Sequence, residues 1–460
     1  MKRLMPINIY TLTSTLHDAA AVDSNTRSFL DGIGLEYVFK GDDYSAFGAD
    51  PSSVDVIFVR TGGTEGIFED LLHDLPKDRP FYLLASPTGN SLAASMEILS
   101  YLNLCGLKGE IIHGSPEFIR GRLSSLVAGA EVLSKLHGKR LGVIGAPSDW
   151  LISSIYDPQA VLDRAGIEII DIPIGALVGL VRTMGPEAGA GSCPEGGSDF
   201  SLEKLMEVPC REGTEEKVRG ALEGADKIYR ALRELVEEYR LDGLTLRCFD
   251  LLTSLGNTGC LALARLNSEG IVATCEGDVP AMLTMLVAQA LSGESGFQCN
   301  PARMDPEKGE ILFAHCTLPL SMARTYNFDT HFESGIGVGI HGEIPEGPVT
   351  IMKFDGALRR CYAEEATLVR NEYGQNLCRT QALVRLDEGS SSIRNYFLRG
   401  PFGNHHVILP GRWTSRLRSL MDSFSAPSGG CGGHGHGGCG GQGHGGCGGH
   451  GGGGCCGHGH

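Results

Sequence analysis

Ile271-Val-Ala-Thr-Cys-Glu276-Gly-Asp278-Val-Pro280-Ala-Met-Leu-Thr-Met-Leu286 reads as a buried strand, a tight turn and the start of a helix. The strand ends at Cys275 and Gly277 permits the turn, while Asp278 and Pro280 suit the N-cap and first turn of the helix that follows. This order places Glu276 at the carboxyl end of a strand, where α/β sheets bind their ligands. Capping alone would account for Asp278. It does not account for Glu276.

The same alternation extends in both directions. From Ile7 to His137 short apolar runs (Ile7 to Thr13, Val54 to Val59, Phe81 to Ala85) alternate with polar or helical segments such as Ser91 to Leu102. The pattern restarts at Lys139, with strands expected at Leu141 to Ala146, Ile167 to Ile172, Leu244 to Arg247 and Ile271 to Thr274. Strands alternating with helices imply parallel sheets covered on both faces. Thr214 to Tyr239 is the clearest helix, because Val218, Leu222, Ala225, Ile228, Leu232 and Leu235 recur at helical spacing among charges. Beyond Asp305 the chain turns Gly-rich and alternating, as in Gly335 to Ile340, Pro348 to Phe354 and Leu377 to Leu386, which reads as a mostly β, barrel-like domain. The expected fold is therefore α/β. It has two doubly wound parallel-sheet domains (1–137 and 138–304), a β-rich C-terminal domain (305–426) and a disordered tail (427–460). The Gly-rich stretch from Gly185 to Asp199 is expected to be a long loop able to cover a cleft.

Three further segments offer side chains to a site: Leu312-Phe-Ala-His315-Cys-Thr317, Thr330-His331-Phe-Glu333 and Gly403-Asn-His405-His406. Adjacent residues of a strand face opposite ways, so at most one of His405 and His406 can readily join a given site. Arg60, in the Arg-Thr-Gly-Gly-Thr stretch after a strand, is a candidate contact for substrate or for a neighbouring subunit. His331 and Glu333 are candidate pocket walls. Ser86 to Ser91 opens a helix whose N-terminus suits an anion. Gly337-Val-Gly339-Ile-His-Gly342 spells a dinucleotide fingerprint, but no helix start follows it, and it is set aside.

Taken together, Cys-Glu276-Gly-Asp-Val-Pro, Phe297-Gln-Cys-Asn300-Pro, Phe313-Ala-His315-Cys-Thr and Gly403-Asn-His-His406 resemble the L-fucose isomerase and L-arabinose isomerase superfamily. The landmarks cover about 130 residues. The resemblance implies a metal-assisted aldose–ketose isomerase working through an enediol on a monosaccharide or modified sugar. Glu276 would bind Mn²⁺ and double as acid/base, and His406 and His315 would be further ligands. It also implies a trimer or hexamer with sites at subunit boundaries. The family's second carboxylate falls about two dozen residues after its Glu, where this chain has Asn300 and no acid before Asp305. Asn300 can lend an oxygen to a metal but cannot take a proton, so either Asp278 or Asp305 substitutes, the substrate is unusual, or this branch does other chemistry on a sugar-like ligand. The competing reading is a sugar-binding or metal-buffering protein of the same fold.

The last thirty-two residues hold twenty Gly, five Cys, six His and one Gln, in a loose eight-residue repeat. With no apolar side chain to bury, such a tail cannot offset the entropy of ordering its glycines. Cys431, His434, His436, Cys439, His444, Cys447, His450, Cys455, Cys456, His458 and His460 are ligand types that Zn²⁺, Ni²⁺ or Co²⁺ accept. The formal charge of −16, with no basic cluster, argues against nucleic acid or an anionic membrane as partner. No run approaches the apolar length of a membrane span, and ten scattered body cysteines fit a reducing compartment, so the expected location is the cytoplasm.

Overall fold

Central strands buried on both faces read as continuous apolar runs, and three of them anchor the first sheet of the computed structural model. That model describes residues 7–424 apart from 17, 51–52, 78 and 186–199. The tail ligands and nearly all of the Gly185 to Asp199 stretch lie outside the described residues. The first sheet comprises β1 (Ile7–Leu12), β2 (Val38–Gly41), β3 (Val54–Val59), β4 (Phe81–Ala85) and β5 (Gly109–Ile112), in the order β2-β1-β3-β4-β5 and parallel throughout. β1, β3 and β4 are buried along their whole length. The edge strands β2 and β5 are partly exposed, and their sequences Val-Phe-Lys-Gly and Gly-Glu-Ile-Ile carry no such run.

A second parallel sheet follows, from β6 (Arg140–Ile144), β7 (Glu168–Ile172), β8 (Gly243–Leu246) and β9 (Val272–Cys275), in the order β7-β6-β8-β9. The amphipathic helix Glu215–Tyr239 turns Val218, Leu222, Ala225, Ile228, Leu232 and Leu235 inward. Helix Val279–Ser292 is apolar nearly all round, because it is packed between the second sheet and the next domain.

The β-rich part is a closed barrel. Its strands are β10 (Phe297–Asp305) and β11 (Glu310–His315), then, after a hairpin of β12 (Thr325–Asp329) and β13 (Gly339–Glu343), β14 (Gly347–Phe354), β15 (Cys361–Asn371), β16 (Thr380–Leu386) and β17 (His406–Pro410). The order β10-β11-β16-β15-β14-β17 leaves no free sheet edge within the barrel. β10 starts ahead of the expected change of texture at residue 305. The strand expected over Gly335 to Ile340 begins only at Gly339, since Gly335 and Gly337 take positive φ and turn the chain. Among the described residues, no helix is long and apolar enough to cross a membrane.

The C-terminal helix Thr414–Ser423 returns to pack on helix Pro116–Leu136 of the first α/β unit. Ser125 and Ser419 share a hydroxyl hydrogen bond of 2.6 Å, Arg122 pairs with Asp422 at 2.9 Å, and a Cβ on Gly129 would overlap the Ser419 carbonyl oxygen. Gly129→Leu should therefore force these backbones apart and destabilise the protein by about 1–3 kcal/mol. An unchanged urea midpoint would show that the two helices do not meet this closely.

Candidate metal and sugar site

The turn after β9 is unusual in its backbone. Glu276 has φ +66°, a left-handed conformation rare for a residue with a Cβ, and Gly277 follows at +69°. Gly277 is required on two counts, since a Cβ there would also overlap the Ala146 carbonyl. Three backbone hydrogen bonds hold the turn: Ser148 N–H to the Glu276 carbonyl (2.9 Å), Gly277 N–H to Leu246 (3.0 Å) and Asp278 N–H to Cys275 (3.3 Å). As expected from sequence, the Asp278 side chain caps the next helix, accepting from the Ala281 N–H at 2.9 Å.

The turn presents the Glu276 carboxylate to two imidazoles from the barrel. Its Oε1 lies 3.4 Å from His405 Nε2 and 4.0 Å from His315 Nε2, and its Oε2 accepts from the Trp150 indole N–H at 2.6 Å. Glu276, His315 and His405 place one donor atom each within 4.8 Å of one another. His315 is oriented by a 2.8 Å hydrogen bond between Nδ1 and Thr317 Oγ1. His405 Nδ1 bonds Asp278 Oδ2 at 2.8 Å, which aims Nε2 at the site. That Nε2 is buried without a hydrogen-bond partner, as is Asn300 Oδ1 on β10. A carboxylate and two imidazoles converging in this way are donor types that fit a divalent cation once the His405 ring has lost its second proton.

The electrostatics match this geometry. Burial opposes ionisation of Glu276, but His405, His315 and the Trp150 N–H outweigh it and hold its pKa down at about 2. Burial also works against the charged form of His405, yet Asp278 and Glu276 raise it to about 9. His315 is pushed down to about 3, by burial first and then by the His405 charge, so its ring is neutral. Asp278 is fully buried yet held well below the ordinary carboxylate range, since Lys353 and His405 more than offset its desolvation.

The sequence expected His406 as the ligand of the His pair, and the structure puts His405 there instead. His406 is the first residue of β17 and is registered opposite Cys299. Its ring bonds the Asn404 carbonyl and the Tyr396 hydroxyl and packs on Phe397. Arg60 is also elsewhere: it bonds Thr13 and Asp23 and lines a cleft of about 550 Å³ at the carboxyl end of the first sheet. Asp305 ends β10, where its carboxylate accepts from the Lys308 N–H and pairs with the Lys308 amine, away from the site. His331 stacks edge-on against Phe249, which packs in turn on Trp150, the residue that donates to Glu276. Glu333, on the same turn, has its carboxyl pushed up by burial and by the Glu276 charge. Sequence reading missed Trp150, whose signal was an aromatic in the loop after β6, and Lys353, a charge inside an apolar strand.

Comparison with known proteins points to sugar isomerases. The chain is similar to a sulfoquinovose isomerase from Clostridium sp. (strain MSTE9), 26% identical over 265 residues covering 56% of this chain and 54% of that protein. A sulfoquinovose isomerase from Alkalicoccus urumqiensis is 24% identical over 207 residues, 43% of this chain and 46% of the other, and one from Priestia megaterium is 27% identical over 128 residues, 26% and 29%. The chain thus spans about half the length of the first two relatives, or less. No family model matches. Among solved structures, a D-threo-3-hydroxyaspartate dehydratase from Delftia sp. HT23 gives a TM-score of 0.13 at 11% identity, over 91% of this chain and 85% of that one, too low to carry an argument.

Two outcomes test the geometry. Divalent-metal binding to the body should be lost in His405→Asn and kept in His406→Asn, by calorimetry on protein ending at Pro427; the reverse would restore the assignment made from sequence. Because metal-free His405 carries its proton up to about pH 9 and only the neutral ring binds a metal, uptake at pH 7 should release a proton. Affinity should then rise about tenfold per pH unit toward 9. A pH-independent affinity would contradict this.

Proposed function

We propose that the protein is a divalent-metal-dependent aldose–ketose isomerase acting on a modified sugar of the sulfoquinovose type. The observation that carries this reading is the convergence of Glu276, His315 and His405 on the left-handed turn after β9. Backbone strain of about 1–3 kcal/mol persists where the surroundings enforce it, and it collects at functional sites. Similarity to three sulfoquinovose isomerases supports the substrate class.

Glu276, His315 and His405 would hold the ion, with Asn300 as a further oxygen donor. When bound, a divalent cation supplies electrophilic polarisation of a sugar carbonyl and its neighbouring hydroxyl. The rest falls to the chain. Glu276, ionised at neutral pH, would take the proton from C2 as the C2–H pair forms the C1=C2 bond of the enediol and the C1=O π pair moves to O1, which gains a proton from solvent. Loss of the O2 proton to solvent then forms the C2 carbonyl as the C=C pair takes the proton back from Glu276 at C1. The Trp150 N–H on Oε2 leaves Oε1 facing the site and fixes the plane of the carboxylate. Phe249 and His331 supply a wall that partly shields the enediol from water.

Asn300 favours one alternative, a protein that binds metal and sugar without turnover, since its amide cannot carry a proton. Incubation with metal and sulfoquinovose in D₂O separates the two readings. Deuterium should enter C1 or C2 by NMR, and Glu276→Gln should slow this by at least about a hundredfold. Saturable sugar binding with no deuterium exchange would favour the alternative.

A further inference from the structure

Two of the described buried cysteines immediately precede side chains of the site or its wall. Cys275 is followed by Glu276 and Cys248 by Phe249. β8 and β9 are neighbours in the second sheet, with Leu246 registered against Cys275, so Cys248 lies two residues past the end of that pairing. The chain turns there and returns the Cys248 sulfur to within 2.7 Å of the Cys275 sulfur. Both are free thiols. They are 5% and 4% exposed, so a protein oxidant is excluded and only a small oxidant could reach them.

We propose that Cys248 and Cys275 are a dithiol modification site, and that their oxidation to a disulfide disables the Glu276 turn. The co-reactant is hydrogen peroxide. One sulfur attacks a peroxide oxygen and releases water, giving a sulfenic acid; the second sulfur displaces its hydroxyl as a second water. The sulfurs lose two electrons as the S–S bond forms, and the peroxide O–O bond is reduced. A covalent S–S bond imposes its own dihedral and angles on both side chains, which a pair of free thiols does not.

The turn has little slack for that change of geometry. Gly277 is wedged against the Ala146 carbonyl, and the Cys275 N–H is tied to Gln298 Oε1 at 2.8 Å. The adjustment that the bond requires then falls on the chain neighbours, Glu276 on one side and Phe249 on the other. Those two residues are linked through Trp150, which donates to the first and packs on the second. The carboxylate then loses its alignment with His405 and His315. The effect on activity rests on the proposed isomerase reading, but formation of the bond does not.

The test uses the full-length protein, treated with graded hydrogen peroxide, alkylated and mapped by mass spectrometry, with hydrogen exchange at the 271–278 turn recorded alongside. The expected result is a linked peptide joining residues 248 and 275, cleared by dithiothreitol, with faster exchange at Gly277. In both Cys248→Ser and Cys248→Ala the exchange response to peroxide should vanish. Two results would overturn the proposal: no 248–275 link at doses that fully oxidise the exposed Cys105, or a link that leaves exchange at the turn unchanged. If the link forms and the turn loosens while no sulfoquinovose is turned over before oxidation, the dithiol stands and the isomerase reading falls.

Discussion

Asp278 is the buried charge on which the rest of the site is built. One of its oxygens caps helix Val279–Ser292 and the other holds His405, so a single carboxylate ties the second sheet's helix to the barrel strand that delivers the imidazole. Fully desolvated, it is tolerable only because His405 and the fully buried Lys353 balance it. Removing one partner from such a buried set typically costs about 3–5 kcal/mol. His405 lowers Glu276 and is itself raised by Asp278 and Glu276, so the opposite shifts of the two groups have one electrostatic origin.

The second constraint is steric. Glu276 and Ala146 both adopt left-handed backbone conformations on facing loops, and Gly277 allows the two loops to touch. The backbone thereby fixes where the Glu276 side chain starts, at the end of β9, and the Trp150 N–H holds its carboxylate. The barrel contributes its imidazoles from the end of β11 and from just before β17, two segments far apart in sequence that closure brings together.

Much of this was legible from residue order. The buried strands β1, β3, β4 and β9 stand out because strands covered on both faces must be apolar throughout. The cap at Asp278 follows from local hydrogen-bond chemistry, and Glu276 stood out because local structure had no use for it. Edge strands β2 and β5 were not legible, since their burial is partial and their sequences carry no period. Trp150 and Lys353 were missed for a related reason: their partners lie more than a hundred and about seventy-five residues away, respectively.

The pair His405-His406 marks the boundary between what sequence determines and what only the tertiary structure decides. Strand geometry alone requires that the two rings face apart, so one can join the site. Which one does so depends on the register of β17 against β10, where His406 falls opposite Cys299 and its ring bonds Tyr396. Asp278 completes the choice by taking His405, because a buried carboxylate must find a donor and that ring is within 2.8 Å. Sequence set the strand, the turn, the cap and the acid at its apex. Barrel closure and charge burial selected the imidazoles that face it.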